Sequence, residues 1–248
     1  AAMSTPHRPP PSLAVRLRSL RAFSLPLSVL PVWIGSAAAV DIAAWQGDVF
    51  ALAMVSAASL HLAGNLLNDV FDFRRGVDRR IADDDARPGR GLVRGEIAPR
   101  DLAVQAGAFA ALGLTCGAVL VGRCGWALAA FAGVGTAGLY SYTGPPLALK
   151  YRAAGEVVIF VVFGPALVLA AAWTQARQVV WSALWLSVPV GMATTAVVAG
   201  NNWRDRVEDR AAGVVTLATR AGGNVARGLY AALVIVAPLV LAGYALAG

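Results

Sequence analysis

Residues 65–78 read NLLNDVFDFRRGVD, two asparagines and three aspartates closing a run that is almost wholly apolar from about residue 49. Carboxylates at the end of such a run need a reason, because polar boundaries elsewhere in this chain are mostly basic. The stretch 49–68 meets the roughly 20 apolar residues that a helix needs to cross a bilayer. Working outward gives seven runs of this kind, at about 24–44, 49–68, 103–121, 125–142, 157–174, 180–200 and 228–247. Of 248 residues, 58% are hydrophobic and 14% charged, where a soluble domain carries about 25% charged residues. Several runs are rich in Ala, Gly and Val, which suits helices packed closely on one another. None has the two-residue alternation of a membrane β-barrel. The expected fold is an all-α, polytopic transmembrane helical bundle.

The net charge of +7 is unevenly placed. Nineteen of the 21 basic residues precede the first run or lie in the connections 69–102, 143–156 and 201–227, and only Arg123 and Arg177 lie elsewhere. With alternating spans these positions share one side, and the positive-inside rule makes that side cytoplasmic. The arginines follow topology rather than forming a patch, so no nucleic-acid partner is expected. The expected location is integral to a membrane, the inner membrane of a bacterial cell, with the N-terminus and long connections in the cytoplasm. Cys116 and Cys124 suggest neither a disulfide framework nor a metal site. The proline-rich residues 1–20 lack the core and cleavage site of a signal peptide and are expected as a disordered cytoplasmic lead-in. Residues 21–248 then form one membrane domain.

A second acidic cluster, NNWRDRVEDRAAG at 201–213, follows the sixth run about 137 residues after the first. On a helix, residues four apart share a face. Asn68 and Asp72 stack with Asn65 and Asp69 to either side, and Asn201, Asp205 and Asp209 form a ladder at i, i+4 and i+8. Oxygen donors without His or Cys suit a hard cation such as Mg²⁺, which binds one or two carboxylates and completes its shell with water and substrate phosphates. Candidate ligands are Asn68, Asp69, Asp72, Asn201, Asp205 and Asp209. Arg74, Arg75, Arg87, Arg90, Arg204, Arg206 and Arg210 surround them, and arginine suits bidentate phosphate contact. One acidic end on a membrane helix is commonly a solvated cap. Two, at matched spacing and facing the same side, point to a metal–diphosphate site.

These two motifs resemble the paired Asn/Asp-rich signatures of the UbiA-type superfamily of intramembrane prenyltransferases. YSYTGPPLALKYRAAGEVVIFVVFGP resembles that family's fourth connection and fifth helix, and RAFSLPLSVLPVWIG its first-helix entry. Within the superfamily, NDVFDFRRGVD, YTGPPLALKY and NNWRDRVEDRAAG look most like 1,4-dihydroxy-2-naphthoate prenyltransferases of menaquinone synthesis. The resemblance implies a UbiA-like bundle, usually of nine spans against the seven counted, and Mg²⁺-dependent transfer of a polyprenyl group from an isoprenyl diphosphate to an aromatic acceptor. It implies catalytic roles for Asp72, Asp205 and Lys150, the last matching a position where a basic residue meets the diphosphate. Arg21 would hold phosphate or an acceptor carboxylate, and Asp78 would steady the loop, the metal or the acceptor. Asn65, Tyr142, Arg206 and Arg210 complete the expected substrate-binding set.

Bland readings compete at some positions. Lys150 and Arg21 also serve as inside charges, and Tyr140 and Tyr142 as interface aromatics. Trp45, Trp126 and Trp181 read as belt residues. His61, one turn from Asn65, reads as a packed or polar-lining histidine. Other acceptors for the same reaction are 4-hydroxybenzoate, homogentisate, a tetrapyrrole or a glycerophospholipid precursor. An ion-coupled transporter would also use paired carboxylates, but near the bilayer midplane in broken helices. Here they lie at helix ends beside arginine-rich loops.

Overall fold

A computed structural model describes residues 11–77 and 91–247, so Asp78, Arg87 and Arg90 lie outside the described residues. All regular elements within them are helical. In chain order they are α1 (Leu13–Ser19), α2 (Pro26–Ala37), α3 (Gly47–Arg75), α4 (Pro99–Cys124), α5 (Leu128–Thr143), α6 (Gly155–Val161), α7 (Leu167–Ala176), α8 (Trp181–Ala211), α9 (Leu217–Ala221) and α10 (Gly223–Ala247). A π-helical turn, Val162–Ala166, joins α6 to α7 around Pro165.

Each of the seven apolar runs contains helix, with two differences in length. Among the described residues, five helices are long and apolar enough to cross a membrane: α3, α4, the α6–α7 unit, α8 and α10. The first run holds only the 12 residues of α2; it reaches spanning length with α1 and the turn before it, across a 47° bend. The fourth run, α5, has 16 residues, about 24 Å of helix; Gly144 and the Pro145–Pro146 pair end it early. A third difference concerns the expected disordered lead-in. Residues 13–19 form a helix, with Ser12 accepting a hydrogen bond from the Val15 amide at its start. Val15 and Leu20 are buried against Leu62, Leu66, Leu92 and Ile97, so apolar packing orders this part of the lead-in.

Four apolar clusters hold the bundle. One ties α1, α3 and α4 together near the acidic end of α3. Another, at the opposite end, packs Val32, Val49, Leu120, Cys124, Leu128 and Ala171. A third joins α2, α7 and α8 through Ala39, Val168, Ala172 and Ala183, and the last joins α8 to α10 through Ala196, Ala199 and Leu233. Small residues permit the crossings. A methyl group on Gly164 would lie 2.7 Å from the Ser187 carbonyl oxygen, and one on Gly191 would meet the Phe160 ring at 2.9 Å.

The two acidic helices end in the same way. At α3, Val77 N–H donates to the Asp72 carbonyl (3.1 Å) and Gly76 N–H to that of Phe73 (3.0 Å). At α8, Val214 N–H donates to the Asp209 carbonyl (2.8 Å) and Gly213 N–H to that of Arg210 (3.1 Å). Both are Schellman caps, with Gly76 at φ 72° and Gly213 at φ 74°, where glycine alone is unstrained. Asp72 and Asp209 therefore occupy the same position relative to their helix ends.

Candidate active site

The end of α3 is deeply embedded, and its polar groups have partners from distant segments. Asp72 is 6% exposed. Its Oδ2 accepts from Lys150 Nζ at 2.7 Å and from Asn68 Nδ2 at 3.1 Å, and its Oδ1 accepts from the Tyr151 hydroxyl. Lys150 also donates to Asn68 Oδ1 at 3.3 Å. Burial works against the lysine charge, but the Asp72 carboxylate and the Tyr142 phenol hold its pKa above the ordinary lysine value. The ammonium is a fixed positive charge at this end of the bundle. Arg75 lies over the Tyr151 ring, 4.3 Å from its centroid.

A tight corner brings Lys150 there. The 3-10 turn Leu149–Arg152 is bounded by Ala148 at φ 45° and Ala153 at φ 56°. Each such residue costs roughly 1–3 kcal/mol, which the Lys150 and Tyr151 contacts help offset. Ala153 N–H donates to the Val215 carbonyl at 3.0 Å, tying the corner to the segment after α8. The charges of Lys150, Asp205 and Asp72 all act on Asp209, so the two acidic helix ends share one electrostatic environment. Tyr142 lies within it too, within reach of the Lys150, Asp72, Glu156 and Arg21 charges.

Several expected site residues do other work. Asp69, expected on a metal, is 1% exposed and salt-bridged to Arg21. That pair steadies the bend between α1 and α2, where Arg21 is left-handed at φ 53°. Asn65, expected on substrate, gives its amide Nδ2 to the Leu20 carbonyl (3.2 Å) and Ser24 Oγ (3.0 Å) in the same bend. Asn201 is exposed; its neighbour Asn202 turns inward and donates to Glu156 Oε1 at 2.9 Å. Arg206 donates to the Trp203 carbonyl (2.7 Å) and Arg210 to that of Thr219 (2.8 Å). Each lies one residue, or about 100° of helix, past Asp205 or Asp209, so both point away from the carboxylate face. Asp205 is held at 2.8 and 2.9 Å by its neighbour Arg204.

Among the described residues, no three His, Cys, Asp or Glu side chains form a ready-made cation cage. The expected six-residue ligand set is not gathered, because Asp69 serves Arg21 and Asn201 faces outward. Asn68, Asp72, Asp205 and Asp209 remain, an all-oxygen set that fits Mg²⁺ when phosphate oxygens and water complete the shell. Two contributors were not singled out from sequence, the half-buried Tyr151 and the buried Glu156. Their partners lie 79 and 46 residues away along the chain, beyond any local pattern.

Farther along α3 from its acidic end, from His61 to Ala53, an apolar cavity of about 120 Å³ lies between α2, α3, α4, α5 and the α6–α7 unit. Ala53, Ala57, Ala132, Gly135 and Ala170 leave the space, and Leu120, Leu128 and Phe131 line its far end. His61, one helical turn from Asn65, is also in its wall.

The sequence pattern of the UbiA prenyltransferase family matches residues 28–248. The chain is 36% identical over 229 residues to 1,4-dihydroxy-2-naphthoate octaprenyltransferase of Mycobacterium tuberculosis, covering 91% of this chain and 76% of that protein. It is 35% identical over 231 residues to the UbiA prenyltransferase domain-containing protein 1 homologue of Drosophila melanogaster, where it spans 62% of the relative's length and 89% of its own. In fold it is similar to a UbiA homologue from Archaeoglobus fulgidus bound to GPP and Mg²⁺, with TM-score 0.71 and 19% identity over 94% of this chain and 78% of that one. A digeranylgeranylglyceryl phosphate synthase structure is similar at TM-score 0.65 and 18% identity, over 92% and 75% of the two chains. The two capped acidic helices, the half-buried lysine bonded to the first of them and the sequence match across most of the chain lead to one assignment: the chain belongs to the UbiA prenyltransferase family.

Proposed function

We propose that this chain transfers an isoprenyl group from its diphosphate to an aromatic acceptor, within the membrane and with Mg²⁺. The observation that carries the reading is the gathering of Lys150, Asn68, Asp72 and Tyr151 at the end of α3, with a cavity of apolar walls farther along the same helix. Asn68, Asp72, Asp205 and Asp209 would hold the metal, which when bound supplies the charge that makes diphosphate a good leaving group. Lys150 and Arg75 give further positive charge to the departing oxygens. The apolar cavity takes the isoprenyl tail and keeps water from the allylic cation. Tyr142 offers its ring π-density to the same cation.

For the acceptor we favour 1,4-dihydroxy-2-naphthoate, as in menaquinone synthesis. The similarity to the mycobacterial enzyme of that name supports it. So does chemistry, since a dihydroxylated fused ring presents a more electron-rich carbon than 4-hydroxybenzoate. Shape discrimination between the two is worth only about 1–3 kcal/mol. The active face would lie on the cytoplasmic side, where the basic residues gather.

Geranylgeranyl diphosphate, offered to the protein in nanodiscs with both acceptors at equal concentration, tests this. Prenylated naphthoate should dominate and EDTA should abolish it. Preference for 4-hydroxybenzoate would discard the acceptor, and activity persisting in EDTA would discard the metal.

A further inference from the structure

Among the described residues, one side of α1 is apolar and largely uncovered. Leu13 is 71% exposed and Leu17 55%, and Phe23, in the turn that follows, is 71% exposed. At about 100° of helix per residue, Leu13 and Leu17 lie within about 40° of each other and form a stripe. Val15 falls about 180° from its centre, on the side that packs against Leu62, Leu66, Leu92 and Ile97. Arg18 lies about 120° to one flank of the stripe and Arg16 about 80° to the other. The helix itself contains no acidic residue.

Two observations separate α1 from the span that follows it. The apolar run to which α2 belongs begins at about residue 24, after α1 has ended. The axis also bends by 47° before α2 starts. A helix turned away from the spanning direction, apolar on one face and edged by arginines, suits the boundary between headgroups and acyl chains. Deeper placement would put guanidiniums in hydrocarbon, at a heavy cost. The arginines have charge to offer there. Arg16 has no carboxylate partner among the described residues, and the Arg18 side chain is 63% exposed, with a long contact of 3.4 Å to Glu96. Apolar exposure continues along α2 at Leu30 and Trp33, so the stripe joins a surface that already faces lipid.

We infer that α1 lies in the plane of the membrane surface, with Leu13, Leu17 and Phe23 dipped into the acyl boundary and Arg16 and Arg18 on the phosphates of anionic phospholipids. The headgroup layer at the acidic end of the bundle is the partner this face fits. Long arginine stems reach up from an apolar stripe to such phosphates, and anionic lipid attracts basic residues held at the surface. Val15 and Leu20 pack on α3, and Arg21 pairs with Asp69, so the lipid-held helix braces the end of α3 that carries the first acidic motif.

The test places bimane on Leu13→Cys or Leu17→Cys in the full chain, in phosphatidylcholine nanodiscs. Cys116 and Cys124 are buried and stay in place, with the unsubstituted protein giving the labelling background. Quenching by lipids that carry a nitroxide at graded chain depths should put both labels about 5–10 Å into the boundary and level with each other. A helix that continues the span would set them about 6 Å apart in depth and would overturn the inference. So would a label that no lipid quenches, because protein would then cover the stripe. For the headgroup, trace nitroxide phosphatidylglycerol should quench the residue 17 label about threefold more than the same amount of nitroxide phosphatidylcholine. Arg16→Gln with Arg18→Gln should bring that ratio to about one while the depth stays the same. Equal quenching by the two lipids before the arginines are changed, or a ratio unaltered afterwards, overturns the assignment of these arginines to anionic headgroups.

Discussion

The ends of α3 and α8 carry the same cap and the same class of side chains, yet they are held very differently. Superposing the cap glycines in sequence, Gly76 on Gly213, places Asn65, Asn68 and Asp72 opposite Asn202, Asp205 and Asp209. On α3 the partners come from far away: Arg21 on Asp69, and Lys150 and Tyr151 on Asp72. On α8 Asp205 pairs with the adjacent Arg204 and Arg206 with the Trp203 carbonyl, while Asn202 reaches Glu156, 46 residues away. The carboxylates of one cluster are held by distant partners; the Asp205 carboxylate of the other is held by its neighbour. A rigid half and an adaptable half make sense for a site whose contents change from a bound diphosphate to a released one.

The sharpest way to break this comparison is to remove the matched aspartates. Asp72→Ala and Asp209→Ala should each cost roughly a thousandfold in transfer, the scale seen when a preorganised electrostatic group is lost. Only Asp72→Ala should also destabilise the fold, by about 3–5 kcal/mol, because it leaves Lys150 buried without its counter-charge. Thermal unfolding in detergent separates the two. Equal losses of stability would show that both helix ends are equally embedded.

The ion pairs give the next largest contrast. Arg21→Ala removes the salt-bridge partner of the buried Asp69 carboxylate and should cost about 3 kcal/mol. Arg204→Ala, at a side chain 61% exposed, should cost less than about 1 kcal/mol. A stability loss at Arg204 matching that at Arg21 would end the distinction between distant and local partners.

The smallest effects probe what the two ends share. Among the described residues nothing lies within 4 Å of a methyl group added at Gly76 or Gly213, so each Gly→Ala change should cost only the left-handed backbone penalty, about 1 kcal/mol. Near-equal shifts in unfolding temperature would match the identical caps. A several-fold disparity would mean that one cap carries contacts beyond its backbone.

Much of this was legible in the chain itself. The apolar runs, the two acidic motifs and their spacing all precede any tertiary contact, because helix in a bilayer is dictated by length and polarity. The register of the second motif has two readings in the chain itself. The i, i+4, i+8 ladder singled out Asn201, whereas counting back from Gly213, as from Gly76, selects Asn202. Ser12 likewise marked the start of α1 inside a stretch that its prolines made look unstructured. The partners were not legible. Tyr151 on Asp72 and Glu156 on Asn202 join segments remote in sequence, and the redirection of Asp69 to Arg21 depends on a bend that no periodicity announces.

That bend gives one residue two unrelated duties. Arg21 supplies the left-handed backbone that turns the chain between α1 and α2, and its guanidinium neutralises Asp69. Glycine would relax the turn and remove the salt bridge; lysine would keep a charge but lose the planar fork and the strained φ would remain. Neither duty can be improved by substitution at this position without touching the other. The entry angle of the first membrane helix and the charge state of the first acidic motif are thus inherited together, as one trait written at one codon.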